Sequence, residues 1–365
     1  MRITAAVLRA GNAPFTIEQL ELAEPGPGEV LVRVVAAGMC HTDLLSREFP
    51  PEFFAGPQVY GHEGAGVVEA VGPGVASVAP GNHVVLSFNS CGDCPSCRRR
   101  QYAHCFNFRA YNMSGGRPDG SSPLTDADGN RVGSHYFGQS SFATHAVAAE
   151  RSVVKVDAKY PLAKLGPLGC GIQTGAGAIL NTLKVESGSS VVVTGSGALG
   201  LSAVMAAKVA GAATIIAIDR HANRLELAQR FGATHTVSGS PAEVTAGIRE
   251  ITGHGSDYAF DTTGNAAVVR ASHDALNVTG TLALAGVGFG DLTLDFLSMI
   301  SGRTVTGVVE GDSIPQEFIP YLAELNAAGN FPYDELITEF TLSDINEAEA
   351  ASASGAVIKP VLVMP

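Results

Sequence analysis

The sequence is short of charged residues and contains no long run of basic ones. Charged residues make up 16% of the 365 residues and hydrophobic residues 45%, which argues against disorder and allows large buried cores. Acidic side chains outnumber basic ones by 35 to 23, giving a net charge of −12. This balance disfavours nucleic acid or an anionic membrane surface as a partner. The chain also shows no repeat at the period of a solenoid, so its length predicts two ordinary domains.

Signals for export or membrane insertion are also missing. The apolar run from Ile3 to Leu8 is too short for the core of a signal peptide. The stretch Ser187–Ala207 is uncharged over about the length that crosses a membrane. It contains Gly195, Gly197, Gly200 and several serines, however, and so predicts a strand, a turn and a helix. Together with the six cysteines, these features predict a cytoplasmic protein whose thiols stay reduced and are available to metal.

Four of the six cysteines lie in one short loop. They follow the spacing C-x2-C-x2-C-x7-C, at Cys91, Cys94, Cys97 and Cys105. Two disulfides would be cramped over this distance, whereas four thiolates around one tetrahedral Zn²⁺ fit it. An iron–sulfur cluster is the alternative, but a bacterial ferredoxin closes with x3 and a proline; here the last gap is seven residues long, and Phe106 follows the last cysteine. The loop therefore predicts a closed zinc site, whose excess negative charge the adjacent Arg98–Arg100 run would offset.

The distribution of residue types along the chain predicts how its domains are arranged. Up to about residue 110, short β-rich runs are separated by Gly and Pro turns. Residues 112–141 are rich in Gly, Ser and Asp and predict a long surface excursion. From about residue 185, strands alternate with helical segments, as in βαβ units of a parallel sheet. Because the tail from about residue 311 returns to mixed helix and strand, we expect a central parallel-sheet domain flanked by two pieces of a β-rich domain.

A glycine pattern typical of dinucleotide binding opens the parallel-sheet region. The segment Gly195–Gly200 fits G-x-G-x-x-G directly after a predicted strand, and such a turn lets backbone and a helix N-terminus approach a pyrophosphate. Asp219 closes the next strand, 24 residues after the first glycine, where it would bind a ribose diol. Its alternative role is to cap the following helix. An acid here favours NAD over NADP, although Arg220 and Arg224 nearby leave that preference open.

The two remaining cysteines, Cys40 and Cys170, lie far apart in the sequence. A free cysteine is often a small buried hydrophobe, and a single histidine such as His62 is usually a hydrogen-bonded polar residue. Two cysteines, one histidine and a water, however, form a known catalytic zinc set. Two thiolates cancel the charge of Zn²⁺, so a bound alcohol would leave the centre neutral. The combination predicts a second, catalytic zinc.

Taken in order, these motifs resemble those of the zinc-dependent, medium-chain alcohol dehydrogenase family over essentially the whole chain. The matching segments are Gly38–Asp43, Gly61–Val68, the four-cysteine loop, Gly169–Gly175, and Gly195–Gly200 with Asp219. Gly311–Phe318 and Phe331–Asp334 are similar to the branch that oxidises aryl, benzyl and allylic terpene alcohols.

This resemblance implies an α/β fold with two domains. A Rossmann doubly wound parallel-sheet domain, residues 172–310, would bind NAD. It would be inserted into a β-rich GroES-like catalytic domain, residues 1–171 and 311–365, which carries the structural-zinc lobe at residues 88–110.

The resemblance also implies roles for the site residues. The catalytic zinc ligands would be Cys40, His62 and Cys170, and the structural zinc ligands Cys91, Cys94, Cys97 and Cys105. Glu63 matches the acid that approaches the metal during ligand exchange, and Thr42 matches the hydroxyl that takes the alcohol proton. Many family members carry a relay histidine where this chain has Leu45. His41 is then either the substitute relay or a contact to the cofactor phosphate.

Residues similar to the family's cofactor contacts and substrate pocket complete the expected site. The cofactor contacts are His41, Thr174, Gly195, Gly197, Ala198, Leu199, Gly200, Asp219, Arg224 and Lys359. The pocket would be lined by Phe88, Tyr136, Phe137 and Val287, with Phe53 or Phe54 as candidates that are equally well explained as core residues. A flat aromatic slot would favour benzylic or allylic alcohols over ethanol.

The sequence therefore predicts a zinc-dependent, NAD-linked oxidoreductase that converts primary aromatic or allylic alcohols to aldehydes by reversible hydride transfer. A glutathione-dependent formaldehyde dehydrogenase or a polyol dehydrogenase of the same family is the alternative enzyme. A non-catalytic NAD-binding structural or regulatory protein is the alternative of another class. The resemblance also implies a homodimer or homotetramer, formed by pairing the edges of the cofactor-domain sheets.

Overall fold

A computed structural model describes residues 1–45 and 56–365 of the chain. The chain divides into two compact units. Unit 1 contains Met1–Gly171, Ile314–Ala327 and Asp334–Pro365, and unit 2 contains Ile172–Ser313 and Ala328–Tyr333. Phe53 and Phe54, named above as candidate pocket residues, lie outside the described residues.

Unit 1 is β-rich because short apolar runs alternate with Gly and Pro turns along most of its length. Its strands are β1 (Arg2–Leu8), β2 (Phe15–Leu22), β3 (Glu29–Gly38), β4 (Gln58–Val59), β5 (Glu63–Val71), β6 (His83–Leu86), β7 (Leu124–Thr125), β8 (Arg131–Val132), β9 (His145–Ala149), β10 (Val153–Val156), β17 (Ile337–Thr341) and β18 (Lys359–Val363). One sheet has the order β4-β1-β2-β7-β8, and the other has the order β10-β6-β5-β3-β18-β17, with β9 also paired to β3. Apolar side chains that include Leu8, Leu20 and Phe142 form the main core of this unit.

Most helices of unit 1 are short and connect strands. They are α1 (His41–Leu44), α2 (Pro95–Arg98), α3 (Phe108–Asn112), α4 (Leu162–Leu165), α11 (Pro315–Ala327) and α12 (Ile345–Ala353). Helix α1 begins directly after Cys40, because the Asp43 carboxylate accepts a hydrogen bond of 2.9 Å from the Cys40 amide and satisfies a donor that the helix start leaves free. This cap fixes the backbone beside the first predicted zinc ligand.

Residues 112–141 do not form the surface excursion that their composition predicts. The first half contains many exposed residues, but β7 and β8 extend the sheet that begins with β4. The segment 132–141 is buried throughout. The expectation was wrong for this part because the small and polar residues there find hydrogen-bond partners inside the unit: the Gln139 amide, for example, donates to the carbonyl oxygens of His62 at 2.8 Å and Ser87 at 3.1 Å.

Unit 2 contains a parallel sheet, whose strands alternate with helices along the chain. Its strands are β11 (Ser190–Thr194), β12 (Thr214–Ile218), β13 (His235–Val237), β14 (Ser256–Asp261), β15 (Leu276–Leu284) and β16 (Thr304–Gly307). The order is β13-β12-β11-β14-β15-β16, and the neighbouring strands pair in parallel. The order in which successive strands are added to the sheet reverses between β11 and β14, and this is the switch point where doubly wound sheets bind ligands. Val191, Val192 and Val193 are fully buried, as expected for a strand covered on both faces.

The helices of unit 2 begin and end at clear sequence signals. They are α5 (Gly171–Gly177), α6 (Ala198–Ala210), α7 (Ala222–Phe231), α8 (Pro241–Thr252), α9 (Ala266–Asp274) and α10 (Phe296–Ile300). Helix α6 ends at Gly211, whose φ of 80° lies in the left-handed region that glycine tolerates. Helix α8 begins with a capping box between Ser240 and Glu243. Across residues 1–45 and 56–365, no helix combines the length and the apolar character needed to cross a membrane.

Candidate active site and metal centres

Four potential metal ligands from three separate segments meet in unit 1. The ligand atoms of Cys40, His62, Glu63 and Cys170 all lie within 4.8 Å of one another. Strand pairing explains part of this meeting, because Gly38 at the end of β3 lies opposite Glu63 at the start of β5. Cys40 follows the first strand and His62 precedes the second, so the antiparallel pair brings both to one end of the sheet.

The two ring nitrogens of His62 have different surroundings. Its ring is fully buried, and Nδ1 lies 2.7 Å from the Asp43 carboxylate. Its other nitrogen, Nε2, is buried without a hydrogen-bond partner among the described residues. Buried polar atoms are nearly always satisfied, and a metal-bound histidine commonly gives its second nitrogen to a carboxylate. This geometry fits zinc at Nε2, and it identifies Asp43 as an orienting residue that the sequence reasoning missed.

The ionisation of Cys40 favours a metal at these ligands, whereas a protonated His62 would have to lose its Nε2 proton to bind one. A hydrogen bond with Cys170 and the proximity of His62 hold the pKa of the Cys40 thiol well below its usual value, although burial opposes this. Burial tends to lower the pKa of His62, but the Asp43 carboxylate overrides it and raises that pKa well above its ordinary value. Thiolate is the form of cysteine that binds metal. Two cysteines and one histidine match a catalytic zinc set with an open position.

Glu63 is held by a buried ion pair with Lys359. The Lys359 ammonium lies 2.9 and 2.8 Å from the two Glu63 oxygens and 3.2 Å from the Met39 carbonyl oxygen. Its side chain is 3% exposed. These contacts use all three N–H groups of an ammonium, so a cofactor phosphate would have to replace one of them. Gly38 leaves room for the pair, because a Cβ at this position would collide with the Glu63 carboxylate.

The predicted proton acceptor lies on helix α1. The Thr42 hydroxyl lies 3.7 Å from the Cys40 sulfur. The backbone carbonyl oxygen of Thr42 accepts a hydrogen bond of 2.7 Å from the Tyr136 hydroxyl. His41 is exposed, whereas Leu45 is half-buried. The roles of Thr42 and His41 stay predictions.

Aromatic rings surround His62 on the side of residues 136–137. Phe137 stacks on the His62 ring at 4.5 Å between centroids, and Tyr136 meets it edge-on at 5.6 Å. Phe108, which the sequence reasoning missed, lies between Phe137 and Phe88, at 6.0 and 6.1 Å respectively. Phe137 has a φ of 53°, a left-handed conformation that costs energy in a phenylalanine. The fourth predicted pocket residue, Val287, belongs to unit 2 and is exposed.

The second metal group is the four-cysteine loop of unit 1. Its four sulfurs lie within 4.8 Å of one another, and all four cysteines are free thiols, which excludes the disulfide alternative. A hydrogen bond from the Cys97 amide lowers the pKa of Cys94 to about 6, whereas burial raises the pKa of Cys97 to about 12. Tetrahedral zinc with four thiolates fits this closed set.

A cation from outside the arginine run also lies beside the four-cysteine loop. Arg100 forms an ion pair with Glu317 of α11. Arg151, which lies far along the chain, instead places its guanidinium directly against Gly92, where a side chain would collide with it. The arginine run was the visible sequence signal, but a contact from a residue so distant in sequence gives no local pattern.

A cavity of about 440 Å³ lies at the switch point of the unit 2 sheet. Its lining includes Gly195, Gly197, Asp219, Arg220, His221 and Arg224. Helix α6 begins directly after the glycine turn, at this cavity. Its N-terminus is the positive end of the helix dipole and favours a bound anion such as a phosphate. Gly195 has a φ of 87°, and a Cβ at Gly200 would collide with the Gly195 carbonyl oxygen. Both positions therefore require glycine.

Asp219 connects the glycine turn to the start of helix α7. Its two oxygens accept hydrogen bonds from the Ser196 amide at 2.7 Å and the His221 amide at 2.9 Å. His221, not Asp219, occupies the cap position of α7, so the alternative role of Asp219 as a helix cap is wrong. Ala198 and Leu199 form the first residues of α6, and Thr174 is buried on α5. Their contacts to a cofactor stay predictions.

Comparison with known proteins relates both units to described families. The family model "Alcohol dehydrogenase GroES-like domain" matches residues 26–158, and "Zinc-binding dehydrogenase" matches residues 198–327. The chain is 42% identical to a geraniol dehydrogenase of Castellaniella defragrans, over 98% of this chain and 97% of that protein. It is 37% identical to a probable S-(hydroxymethyl)glutathione dehydrogenase of Schizosaccharomyces pombe, over 99% of this chain and 96% of that protein.

A solved structure is similar over the full length. The crystal structure of benzyl alcohol dehydrogenase from Acinetobacter calcoaceticus superposes with a TM-score of 0.95 at 42% identity, covering 100% of both chains.

Proposed function

This chain belongs to the zinc-dependent medium-chain alcohol dehydrogenase family, and from that premise we propose that it oxidises primary aromatic or allylic alcohols to aldehydes with NAD as the hydride acceptor. The predicted family, α/β fold class and oxidoreductase chemistry are confirmed by the matches. The non-catalytic alternative is therefore rejected. The substrate class, the choice of NAD and the individual residue roles are the content of the proposal.

The residues around the first metal group support this chemistry. When bound, zinc supplies Lewis acidity that lowers the pKa of an alcohol hydroxyl, and NAD accepts hydride. Cys40, His62 and Cys170 would hold the metal, and Asp43 fixes the His62 ring so that Nε2 faces it. The Thr42 hydroxyl would accept the alcohol proton and pass it outward, with exposed His41 as the next group. Glu63, held by Lys359, stays close enough to reach the ligand set.

The observation that carries the substrate class is the aromatic surface against His62. Phe137 and Tyr136 are buried and Phe108 is partly buried; their flat rings lie together beside His62, and aromatic rings of this kind pack well against a planar π-system. A short aliphatic alcohol would leave much of this surface uncovered. The names of the geraniol and benzyl alcohol dehydrogenases agree with this class.

A panel of substrates tests the proposal. Initial rates with NAD⁺ and NADP⁺ should be measured for benzyl alcohol, geraniol and ethanol. We expect kcat/KM for the first two to exceed that for ethanol by at least about tenfold, since each buried methylene group already contributes about 1–3 kcal/mol to discrimination. We expect NAD⁺ to be preferred because the Asp219 carboxylate repels a 2′-phosphate. Near-equal values for ethanol and benzyl alcohol would contradict the substrate class.

A glutathione-dependent formaldehyde dehydrogenase is the second candidate. The 37% identity to the Schizosaccharomyces pombe protein favours it. The same panel should therefore include formaldehyde with glutathione. A kcat/KM for that mixture above the value for benzyl alcohol would transfer the proposal to this function.

We also propose that the protein forms a homodimer or homotetramer in the cytoplasm. Unit 2 exposes apolar side chains at Phe289, Phe296, Leu297 and Ile300, and β16 is an edge strand with unpaired backbone groups. Pairing two β16 edges would cover both features. The free state of all six cysteines supports the location. Light scattering after size-exclusion chromatography tests the assembly, and a monomer at micromolar concentration would contradict it.

A further inference from the structure

Asp261 is a buried carboxylate at the end of β14 that none of the sequence motifs explains. It is 0% exposed. Its oxygens accept hydrogen bonds from the hydroxyls of Thr194 at 2.5 Å and Thr263 at 2.7 Å, and from the amides of Thr263 at 3.1 Å and Gly264 at 2.8 Å. In the described part of the chain these partners are all neutral, so dipoles and not an opposite charge hold this carboxylate. Burying an acid is costly unless it is fully hydrogen-bonded, and this one has four donors.

The backbone of Asp261 fixes a second loop. Its carbonyl oxygen accepts hydrogen bonds from the amides of Ala285 at 3.0 Å and Gly286 at 3.1 Å, directly after β15. Gly286 approaches Gly264 so closely that a Cβ on Gly286 would collide with the Gly264 amide. Asp261 therefore joins the loop 262–265 to the loop that begins at residue 285.

The loop 262–265 forms one side of the cavity at the switch point. Thr262, Thr263 and Asn265 line it together with Gly195 and Gly197 of the glycine turn. The Thr262 hydroxyl donates to the Thr194 carbonyl oxygen at 2.8 Å and lies 3.3 Å from the Gly195 carbonyl oxygen. A movement of this loop would thus also change the contact with the turn that approaches the pyrophosphate.

We infer that Asp261 is a positioning residue for dinucleotide binding, which holds the loop 262–265 and the glycine turn in the shape that the cofactor requires. This inference rests on the proposed function of the cavity. Asp261 itself is buried and acts through Thr262, Thr263 and Gly264. Its effect should therefore fall on cofactor affinity, with little effect on the chemistry of the bound complex.

The test compares D261N with D257N. Asp257 lies on the same strand at its opposite end, where it accepts hydrogen bonds from the Ser190 amide, the Ser190 hydroxyl and the Asn277 amide. It is absent from the lining of the cavity and serves as the matched control for the loss of a carboxylate from β14. The Kd for NADH should be measured by fluorescence titration, together with Tm, kcat and KM for NAD⁺.

We expect D261N to weaken NADH binding and to raise KM for NAD⁺ by at least about tenfold, the size of one weakened hydrogen bond to a charged group. The kcat at saturating NAD⁺ should stay close to the wild-type value, and D257N should bind NADH normally. A D261N protein with lowered Tm but normal Kd would overturn the inference and leave Asp261 a purely structural role. Should D261N fail to fold, T194V removes one donor to the same carboxylate while keeping the side-chain shape. A normal Kd in T194V with a stable fold would then count against the inference.

These outcomes separate the inference from the proposed function. A wild-type protein that binds neither NADH nor NADPH would contradict the cofactor cavity itself. A wild-type protein that binds NADH, together with an equally tight D261N variant, would contradict only the role of Asp261.

Discussion

The two cysteine groups of unit 1 share a ligand type but differ in their surroundings. The loop at Cys91–Cys105 contributes four thiols from 15 consecutive positions, so one metal ion would have no open position. The group at Cys40, His62 and Cys170 comes from three distant segments, and a buried carboxylate, Glu63, lies beside it with its own counter-ion. A closed set supports a fold, whereas an incomplete set leaves a position at which a ligand can exchange. A structural site and a catalytic site therefore differ in whether the protein supplies all the ligands of the metal or leaves one position for substrate.

The largest expected effect comes from removing a ligand of the open group, which consists of Cys40, His62 and Cys170. Cys40→Ser removes one of its thiolates. We expect kcat/KM for the best alcohol of the panel to fall by about 10³-fold or more, because the Lewis acid contributes several kcal/mol to the reaction. Metal analysis should show the loss of one zinc per chain, while Tm stays close to the wild-type value. A variant that keeps both activity and metal would contradict the assignment of this group.

The matched change in the closed loop should damage the fold. Cys97→Ala removes one ligand of the four-cysteine set. Because binding energy at a structural zinc is folding energy, we expect lower Tm, more aggregation and loss of one zinc. The fraction that stays folded should bind alcohol and cofactor with nearly normal KM. A stable Cys97→Ala protein with reduced kcat would reverse the roles of the two groups.

The sequence predicted the closed group well and the environment of both groups poorly. Cys91, Cys94 and Cys97 are local in sequence, so their spacing alone indicates a metal. The open group required the combination of Cys40, His62 and Cys170, which matches a catalytic zinc set, and the family resemblance implied the same three ligands.

The residues that support these groups are set by tertiary contacts. Asp43, Phe108 and Arg151 reach their partners only after distant segments meet. The same limit explains the error at residues 132–141, where a polar composition predicted exposure and internal hydrogen bonds allow burial. In unit 2 the alternation of strands and helices predicted the parallel sheet, since each βαβ unit is local.

Lys359 offers a sharper test of the open group. In Lys359→Met, Glu63 loses the partner of a buried ion pair, and breaking such a pair costs about 3–5 kcal/mol. We expect a clear fall in Tm and a change of less than about threefold in the Kd for NADH, since the ammonium is already occupied by Glu63 and Met39. Lys359→Arg, which keeps the positive charge, should recover much of the stability. A normal Tm with much weaker NADH binding would instead support the sequence-based prediction that Lys359 contacts the cofactor.

The smallest expected effect concerns His41, the exposed neighbour of Thr42. As a relay, it would pass the alcohol proton to water, so His41→Ala should lower kcat and alter its dependence on pH. His41→Gln serves as a control that retains a polar side chain without a titratable ring. An unchanged pH profile, combined with a raised KM for NAD⁺, would assign His41 to the cofactor phosphate and remove it from the relay.

Zinc content tests the central claim about the two groups most directly. Purified wild-type protein, Cys40→Ser and Cys97→Ala should be analysed by inductively coupled plasma mass spectrometry after exhaustive dialysis. The account predicts two zinc ions per wild-type chain and one in each variant, with activity lost in Cys40→Ser while its fold is kept. A wild-type protein that is fully active with one zinc or none would contradict it.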